Sequence, residues 1–312
     1  MICCLSMRLK ISIWLRLKLV IRECMSRIKL EFRIGTASAM GPLHIKEGTA
    51  NQDSYAFFRS RQIIAVAVAD GLGSAPHSDE GSNYAVHVAV GQLMHYLYSY
   101  GKSKSKIPNI TVLRERIIQS WQHEFEPPAE YDTTLLFVGI SPKVCVIGQI
   151  GDGLILYKRA KSPERFDVFL EPPKEYLNQP ESSLAQPTAR EFLHIKEWCL
   201  SSTDMFSSFL LMTDGIADDL HDAALYANDI LKKLETEPNR EWNAILDKHL
   251  GDWPTPGHYD DKTLVVMKQE SGTAIQTTPD FNTTDSTLIP SSTDGENQAP
   301  TIENTAEITS IK

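Results

Sequence analysis

The chain has few cysteines and no pattern that would organise them. Cys3, Cys4, Cys24, Cys145 and Cys199 are five scattered residues among 312, and none belongs to a Cys-x-x-Cys pair. An odd, dispersed set supports neither a disulfide framework nor a zinc knuckle, and it fits free thiols in a reducing cytosol. Long apolar runs are also missing. Residues 1–33 carry eight Lys/Arg against two Asp/Glu, with Ile11, Ile13, Leu15, Leu17 and Leu19 alternating with Lys10, Ser12, Trp14, Arg16 and Lys18. Arg16 and Lys18 interrupt what would be the apolar core of a signal peptide, and the stretch is far short of the ~20 apolar residues of a membrane span. The middle of the chain lacks a basic cluster, and the net charge is −9. That balance argues against binding nucleic acid through its phosphates.

What is present divides the chain into three parts. Residues 1–27 form a basic N-terminal extension. Residues 28–269 have the composition and length of one folded domain with a sizeable core. Residues 270–312 are rich in Ser, Thr, Asn and Pro, with seven acids from Glu270 to Glu307 and Lys312 at the end. Such a segment buries too little apolar surface to offset its ordering entropy, so a disordered, Ser/Thr-rich acidic tail is expected.

Within the middle part, strand-like runs fall at 28–35, 54–58, 63–69, 133–140, 144–150, 154–158, 209–212 and 263–267, bounded by Gly, Pro and Asp. Pro142 and Lys143 suit a tight hairpin. Helical patterns fall at 83–98, 112–125, 219–234 and 240–250. Strands in hairpin-like succession, with helices in two separate blocks, predict an α+β layered sandwich rather than a βαβ parallel sheet.

One device repeats. Ala65-Val66-Ala67-Val68-Ala69-Asp70-Gly71 runs from a buried strand into Asp-Gly, as do Phe209-Leu210-Leu211-Met212-Thr213-Asp214-Gly215 and, more loosely, Val146-Ile147-Gly148-Gln149-Ile150-Gly151-Asp152-Gly153. Asp53 opens another strand, in Asn51-Gln52-Asp53, and Asp260-Asp261 open the last. Any one Asp-Gly is an ordinary turn. Several carboxylates at strand ends, however, can aim at one point, where they repel unless a cation neutralises them. Oxygen ligands without His or Cys suit Mg²⁺ or Mn²⁺. A Gly after the Asp lets the backbone approach and offer its carbonyl. Two such ions can support in-line displacement at phosphorus.

The order of motifs adds to this. Asn-Gln-Asp, Asp-Gly-Leu-Gly, a helix, Thr-Thr-Leu, Gly-Asp-Gly, Thr-Asp-Gly and Asp-Asp-x-Thr together resemble the metal-dependent type-2C Ser/Thr protein phosphatases, in their bacterial branch, over about residues 34–268. The resemblance implies a four-layer α-β-β-α sandwich of two antiparallel sheets flanked by helices, with a dinuclear Mn²⁺ or Mg²⁺ site at one edge. It implies hydrolysis of phosphoserine and phosphothreonine through a hydroxide bridging the metals. Asp53 would contact both ions, Asp70 and the Gly71 carbonyl would be ligands, and Asp214 and Asp260 would hold the first ion. Asp152, with Asp214, would hold a third, weaker ion and contribute to catalysis.

The implied partners are a phosphoprotein and a cognate Ser/Thr kinase, and the implied protein is a cytoplasmic monomer. Two departures stand out. Gly48 occupies the place of the family's phosphate-binding Arg, with His44 and Lys46 as candidate substitutes. Leu72 occupies the place where some members have a general-acid His, and His77 lies nearby. Residues Lys174–Asn178 lie where the family has a flap. The lost Arg keeps open an alternative, a catalytically weak type-2C-like regulatory module that binds a phosphoprotein or kinase. An aspartyl nucleophile would need Asp-x-Asp; Asp70-Gly71-Leu72 and Asp214-Gly215-Ile216 lack it.

Overall fold

The computed structural model of the chain describes residues 30–102, 108–170, 182–201, 204–253, 259–270 and 307–311. The N-terminal extension, the Lys174–Asn178 segment and residues 271–306 lie outside the described residues. All strand pairings described are antiparallel, and they make two sheets. In spatial order the first holds β1 (Phe32–Ala39), β10 (Lys262–Gln269), β9 (Phe206–Met212), β6 (Leu154–Arg159) and β7 (Phe166–Val168). The second holds β11 (Glu307–Ile311), β2 (Asp53–Arg59), β3 (Ile64–Asp70), β4 (Leu135–Ile140), β5 (Val144–Ile150) and β8 (His194–Cys199). The helices are α1 (Pro42–Glu47), α2 (Ser78–Lys102), α3 (Ile110–Gln122), α4 (Ala189–Phe192), α5 (Asp214–Ala217), α6 (Ala223–Glu235) and α7 (Trp242–Gly251).

The strand alternation read in the sequence is the layering of the molecule. Along β3, Ile64, Val66 and Val68 point between the sheets, where they meet Ile34, Ile155, Phe209, Leu211, Val265 and Met267. The intervening Ala65, Ala67 and Ala69 point outward, beneath Leu93 and Leu97 of α2 and Trp121 of α3. Small residues there let the long helix lie close to the sheet, and larger ones would overpack it at a cost of about 1–3 kcal/mol. On the far side, Leu156, Leu210 and Val266 meet Ile230 and Leu234 of α6 and Trp242 and Leu246 of α7. Three apolar layers between four structural layers give the α-β-β-α sandwich. Trp121 and Trp242 are fully buried anchors of the two helical layers, and truncating either to Ala costs about 3–5 kcal/mol.

Several elements differ from the sequence expectation. α2 starts at Ser78, five residues before the apolar pattern at 83, because Asp79 and Glu80 favour a helix N-terminus. β7, β8, α1, α4 and α5 were not expected. β8 alternates only weakly and its residues are largely exposed or half-buried, because it is an edge strand with little apolar face to advertise. At the other edge of that sheet, Glu307–Ile311 pairs with β2, Ile311 opposite Tyr55. The rest of the expected tail, residues 271–306, lies outside the described residues. The short segment Glu-Ile-Thr-Ser-Ile has β-forming residues, and the open edge of β2 supplies the hydrogen bonds that a polar tail could not make alone. No helix among the described residues is long and apolar enough to cross a membrane.

Candidate metal centre

Antiparallel register gathers the acids at one end of the sandwich. β2 begins where β3 ends, with Asp53 opposite Asp70. Thr134, just before β4, donates its N–H to the Asp70 carbonyl at 2.8 Å. The start of β4 lies opposite the end of β5, Leu135 facing Ile150. Gly151-Asp152-Gly153 then carries the chain from one sheet to the other, and Gly151 takes a φ of 100° that a side chain would strain. In the receiving sheet, Leu154 and Leu264 both pair with Met212. Asp214 therefore follows, and Asp260 precedes, two neighbouring strands at the same end. Asp53 and Asp70 share the strand phase of Tyr55, Val66 and Val68, which is the face between the sheets. Gly71 closes the corner: a Cβ there would lie 2.6 Å from the Ser78 carbonyl oxygen at the start of α2.

Carboxylate oxygens of Asp70, Asp152 and Asp214 lie within 4.8 Å of one another. Asp53 is deeper, 5% exposed. Its Oδ2 accepts from the Thr213 hydroxyl at 2.8 Å, while its Oδ1 is buried without a hydrogen-bond partner. Asp214 Oδ1 is likewise buried and unpartnered. Asp260 lies at the rim, exposed, with its Oδ1 accepting from the Asp261 N–H at 2.9 Å. Asp53, Asp70, Gly71, Asp152 and Asp214 thus form the cluster, and Asp260 borders it.

The electrostatics follow from crowding like charges in a buried place. Burial first, then the charges of Asp261 and Asp214, pushes the Asp53 carboxyl well above its ordinary value despite the Thr213 hydrogen bond. Burial, then Asp214, Asp53, Asp260 and Asp152, does the same to Asp70. Burial, then Asp218 and Asp260, raises Asp152. Asp214 is pushed up to about 7 by burial and by Asp152, Asp260 and Asp218. A divalent cation would remove this repulsion and supply the partners that Asp53 Oδ1 and Asp214 Oδ1 lack. The donor set is all oxygen, which fits a hard ion such as Mg²⁺ or Mn²⁺.

A closed ring of hydrogen bonds holds Asp53. The Asp53 N–H donates to Asn51 Oδ1 at 2.9 Å, and Asn51 Nδ2 donates to Ser38 Oγ at 2.9 Å. Ser38 Oγ also accepts from Thr263 Oγ1 at 2.8 Å, and the Thr263 N–H donates to Thr213 Oγ1 at 3.0 Å. Thr213 Oγ1 donates back to Asp53. Thr263 is thus a positioning group as well as a strand residue. Thr213 and Thr263 belong to motifs visible in the sequence; Ser38 carried no signal, because only the β1–β10 register sets it opposite Thr263.

Asp261 forms a second tie. Its buried carboxylate accepts from the N–H groups of Gly41 and Gln52, both at 2.6 Å, and from His44 Nδ1 at 2.8 Å. His44, a candidate for the missing Arg, thereby fastens α1 to the segment that carries Asp260. Lys46 is exposed on α1. The exposed His77 ring stacks on Tyr131 at 5.1 Å, a packing role.

Residues 40–253 match the family described as Protein phosphatase 2C. The match includes Asp53, Asp70, Asp152 and Asp214, and Asp260 lies just beyond it. No curated protein matches the chain. Among solved structures, the chain is similar to the phosphatase domain with a fragment of the regulatory domain of the cell fate determinant SpoIIE from Bacillus subtilis, at 17% identity and a TM-score of 0.47, covering 77% of this chain and 64% of that one. It is similar to the Mycobacterium tuberculosis serine/threonine phosphatase PstP/Ppp, at 17% identity and a TM-score of 0.48, covering 77% of this chain and 99% of that one. A PstP catalytic domain in complex with two manganese ions gives 18% identity and a TM-score of 0.47, covering 76% and 97%. Since the family match spans well over half of the chain and takes in Asp53, Asp70, Asp152 and Asp214, the protein belongs to the protein phosphatase 2C family.

Proposed function

We propose that this protein is a metal-dependent phosphatase for phosphoserine and phosphothreonine in proteins, acting in the cytoplasm opposite a Ser/Thr kinase. The observation that carries the reading is the pair of buried, unpartnered oxygens, Asp53 Oδ1 and Asp214 Oδ1, amid carboxylates whose mutual repulsion calls for a cation. Asp53, Asp70, the Gly71 carbonyl, Asp214 and Asp260 would hold two Mn²⁺ or Mg²⁺ ions, and Asp152 with Asp214 a third. When bound, such ions neutralise the carboxylates, polarise the phosphoryl group and activate water near neutral pH.

The chain itself contributes orientation and proton supply. The Thr213–Thr263–Ser38–Asn51 ring fixes Asp53 in one rotamer, so it need not reorganise during the reaction. Leu72 offers no proton to the leaving oxygen. We assign that supply to the Asp152 position, where a divalent ion held by Asp152 and Asp214 would make a nearby water a better acid. The test is turnover of a phosphothreonine peptide by the full chain in Mn²⁺ and in EDTA. Mn²⁺-dependent release of phosphate supports the reading, and its absence in both conditions sinks it.

One observation favours a second reading, a phosphoprotein-binding relative with little turnover. Gly48, in the place of the phosphate-binding Arg, ends α1 with a left-handed φ of 70°. That backbone suits Gly and would strain an Arg. Saturable phosphopeptide binding without turnover in Mn²⁺ would select this alternative.

A further inference from the structure

A fully buried amide stands in an apolar layer at the end of β5. Gln149 lies opposite Leu136 of β4 and His194 of β8. It shares the strand phase of Cys145 and Ile147, which face between the sheets. Its Nε2 donates to the Gly153 carbonyl at 2.8 Å and to the Gly151 carbonyl at 3.4 Å. Its Oε1 is buried without a hydrogen-bond partner. Both neighbours are carbonyl oxygens, so the amide must present its NH2 to them, and the oxygen is the end left over. A buried, unpartnered oxygen is a cost that an apolar side chain of the same size would avoid. The two bonds to the turn are what only the amide supplies.

We propose that Gln149 is a positioning residue for Asp152: it fixes the turn Gly151-Asp152-Gly153 from inside the sandwich and so keeps the Asp152 carboxylate beside those of Asp70 and Asp214. This deepens the phosphatase reading and rests on it only where turnover is measured. Among the described residues, no other side chain hydrogen-bonds the Gly151 and Gly153 carbonyls. The other contacts of the two glycines are packing. A Cβ on Gly151 would lie 2.5 Å from Thr134 Cβ, and one on Gly153 would lie 2.8 Å from the Met212 carbonyl oxygen. Thr134 itself holds Asp70, donating its N–H to the Asp70 carbonyl at 2.8 Å and accepting the Asp70 N–H on Oγ1 at 3.0 Å. Met212 lies two residues before Asp214. The turn is thus wedged between the supports of the other two acids, and Gln149 adds the directional bonds that select one rotation of its peptide groups. Without them the turn keeps its packing, but two carbonyls lose a buried donor and Asp152 loses its fixed aim.

The test compares the full-length wild type with Gln149→Met, Asp152→Ala and the double variant. Met keeps the length and the apolar fit and removes the NH2. Calorimetry of Mn²⁺ binding should show the weakest site of the wild type loosened about tenfold by Gln149→Met, as by Asp152→Ala. The double variant should show no further loss, because both changes remove one and the same aim. In Mn²⁺, Gln149→Met should slow a phosphothreonine peptide about fivefold more than an aryl phosphate, whose leaving group needs less acid help. Mn²⁺ binding identical to that of the wild type overturns the inference. So does equal slowing of both substrates, which a loss of packing alone would give. If Gln149→Met does not fold, Gln149→Asn, whose NH2 sits on a stem one methylene shorter, must loosen the same site, and unchanged binding there overturns the inference. A wild type without Mn²⁺-dependent turnover sinks the phosphatase reading and leaves Mn²⁺ binding to decide on Gln149. Loosening that does not add to that of Asp152→Ala then supports the positioning role, and additive loosening, or none, overturns it.

Discussion

Asp53 and Asp260 are assigned to the same metal centre and are held in opposite ways. Asp53 is buried at the first residue of β2, tied through its N–H to Asn51 and through Oδ2 to Thr213, with a single oxygen left unpartnered. Asp260 is exposed on the loop before β10, held by its neighbour Asp261. One side of the cluster is built into the sandwich and the other is attached to its rim. A buried, fully oriented carboxylate gains most from a cation and tolerates its loss least, because nothing else can solvate it. An exposed one retains water as an alternative. The buried wall should therefore govern catalysis, and the rim should govern metal exchange and substrate approach.

The largest effect should come from the buried wall. Asp53→Ala is expected to lower turnover by about three to five decades, about 4–7 kcal/mol of transition-state stabilisation. Asp260→Ala should lose less and regain part of it in excess Mn²⁺. Equal losses that Mn²⁺ does not relieve would break the comparison.

Next comes the ring behind Asp53. Thr213→Val keeps the shape but leaves the Thr263 N–H and Asp53 Oδ2 without partners, at about 1–3 kcal/mol. Mn²⁺ affinity or kcat should fall about 10- to 100-fold, and Thr213→Ser should restore it. A Val variant with normal metal titration would remove the ring from the mechanism.

Within the cluster, Asp152→Ala should slow the phosphopeptide about tenfold more than an activated aryl phosphate, whose leaving group needs less acid help. An unchanged ratio of the two rates would reduce Asp152 to a turn residue.

Smaller effects concern stability. In metal-free protein, carboxyls with raised folded-state values bind more protons folded than unfolded. Their contribution is complete below the ordinary value of 3.8 and is lost as pH rises through the raised values, about 7 for Asp214. The melting temperature in EDTA should drop between pH 5 and pH 8, and Mn²⁺ should reverse the trend. A rise with pH in EDTA would contradict the crowding of charges inferred for the cluster.

The smallest effect should follow deletion of residues 302–312. The strand Glu307–Ile311 covers the edge of β2 but stops two residues short of Asp53, at the Ile311–Tyr55 pair. A fall of about 2–4 °C in melting temperature, with turnover unchanged, is expected. A large loss of turnover would tie the tail to the site.

Much of the molecule was legible in its sequence, for local reasons. The alternation of Ala and Val through residues 65–69 specifies a strand with a small-residue face and a branched-residue face, and the structure uses both. Period-two and helical patterns need only neighbouring residues to be read, so β2 to β6, β9, β10 and the long helices could be placed to within a few residues. The Asp-Gly strand ends marked the carboxylates. What escaped were elements whose stability is not local: β7, too short for a pattern; β8 and β11, edge strands defined by what they pair with; and α1, which buries nothing.

The sequence by itself determined which residues carry charge and where strands stop. Only the tertiary structure decided that those stops coincide. Asp53 and Asp70 meet because β2 and β3 pair in one register, and a slip of one residue would turn either carboxylate to the helix face. Ser38 meets Thr263 across 225 positions of sequence, and His44 meets Asp261 across 217. Contacts at that separation leave no periodicity in the chain, because they are fixed by the packing of two sheets around a shared apolar core.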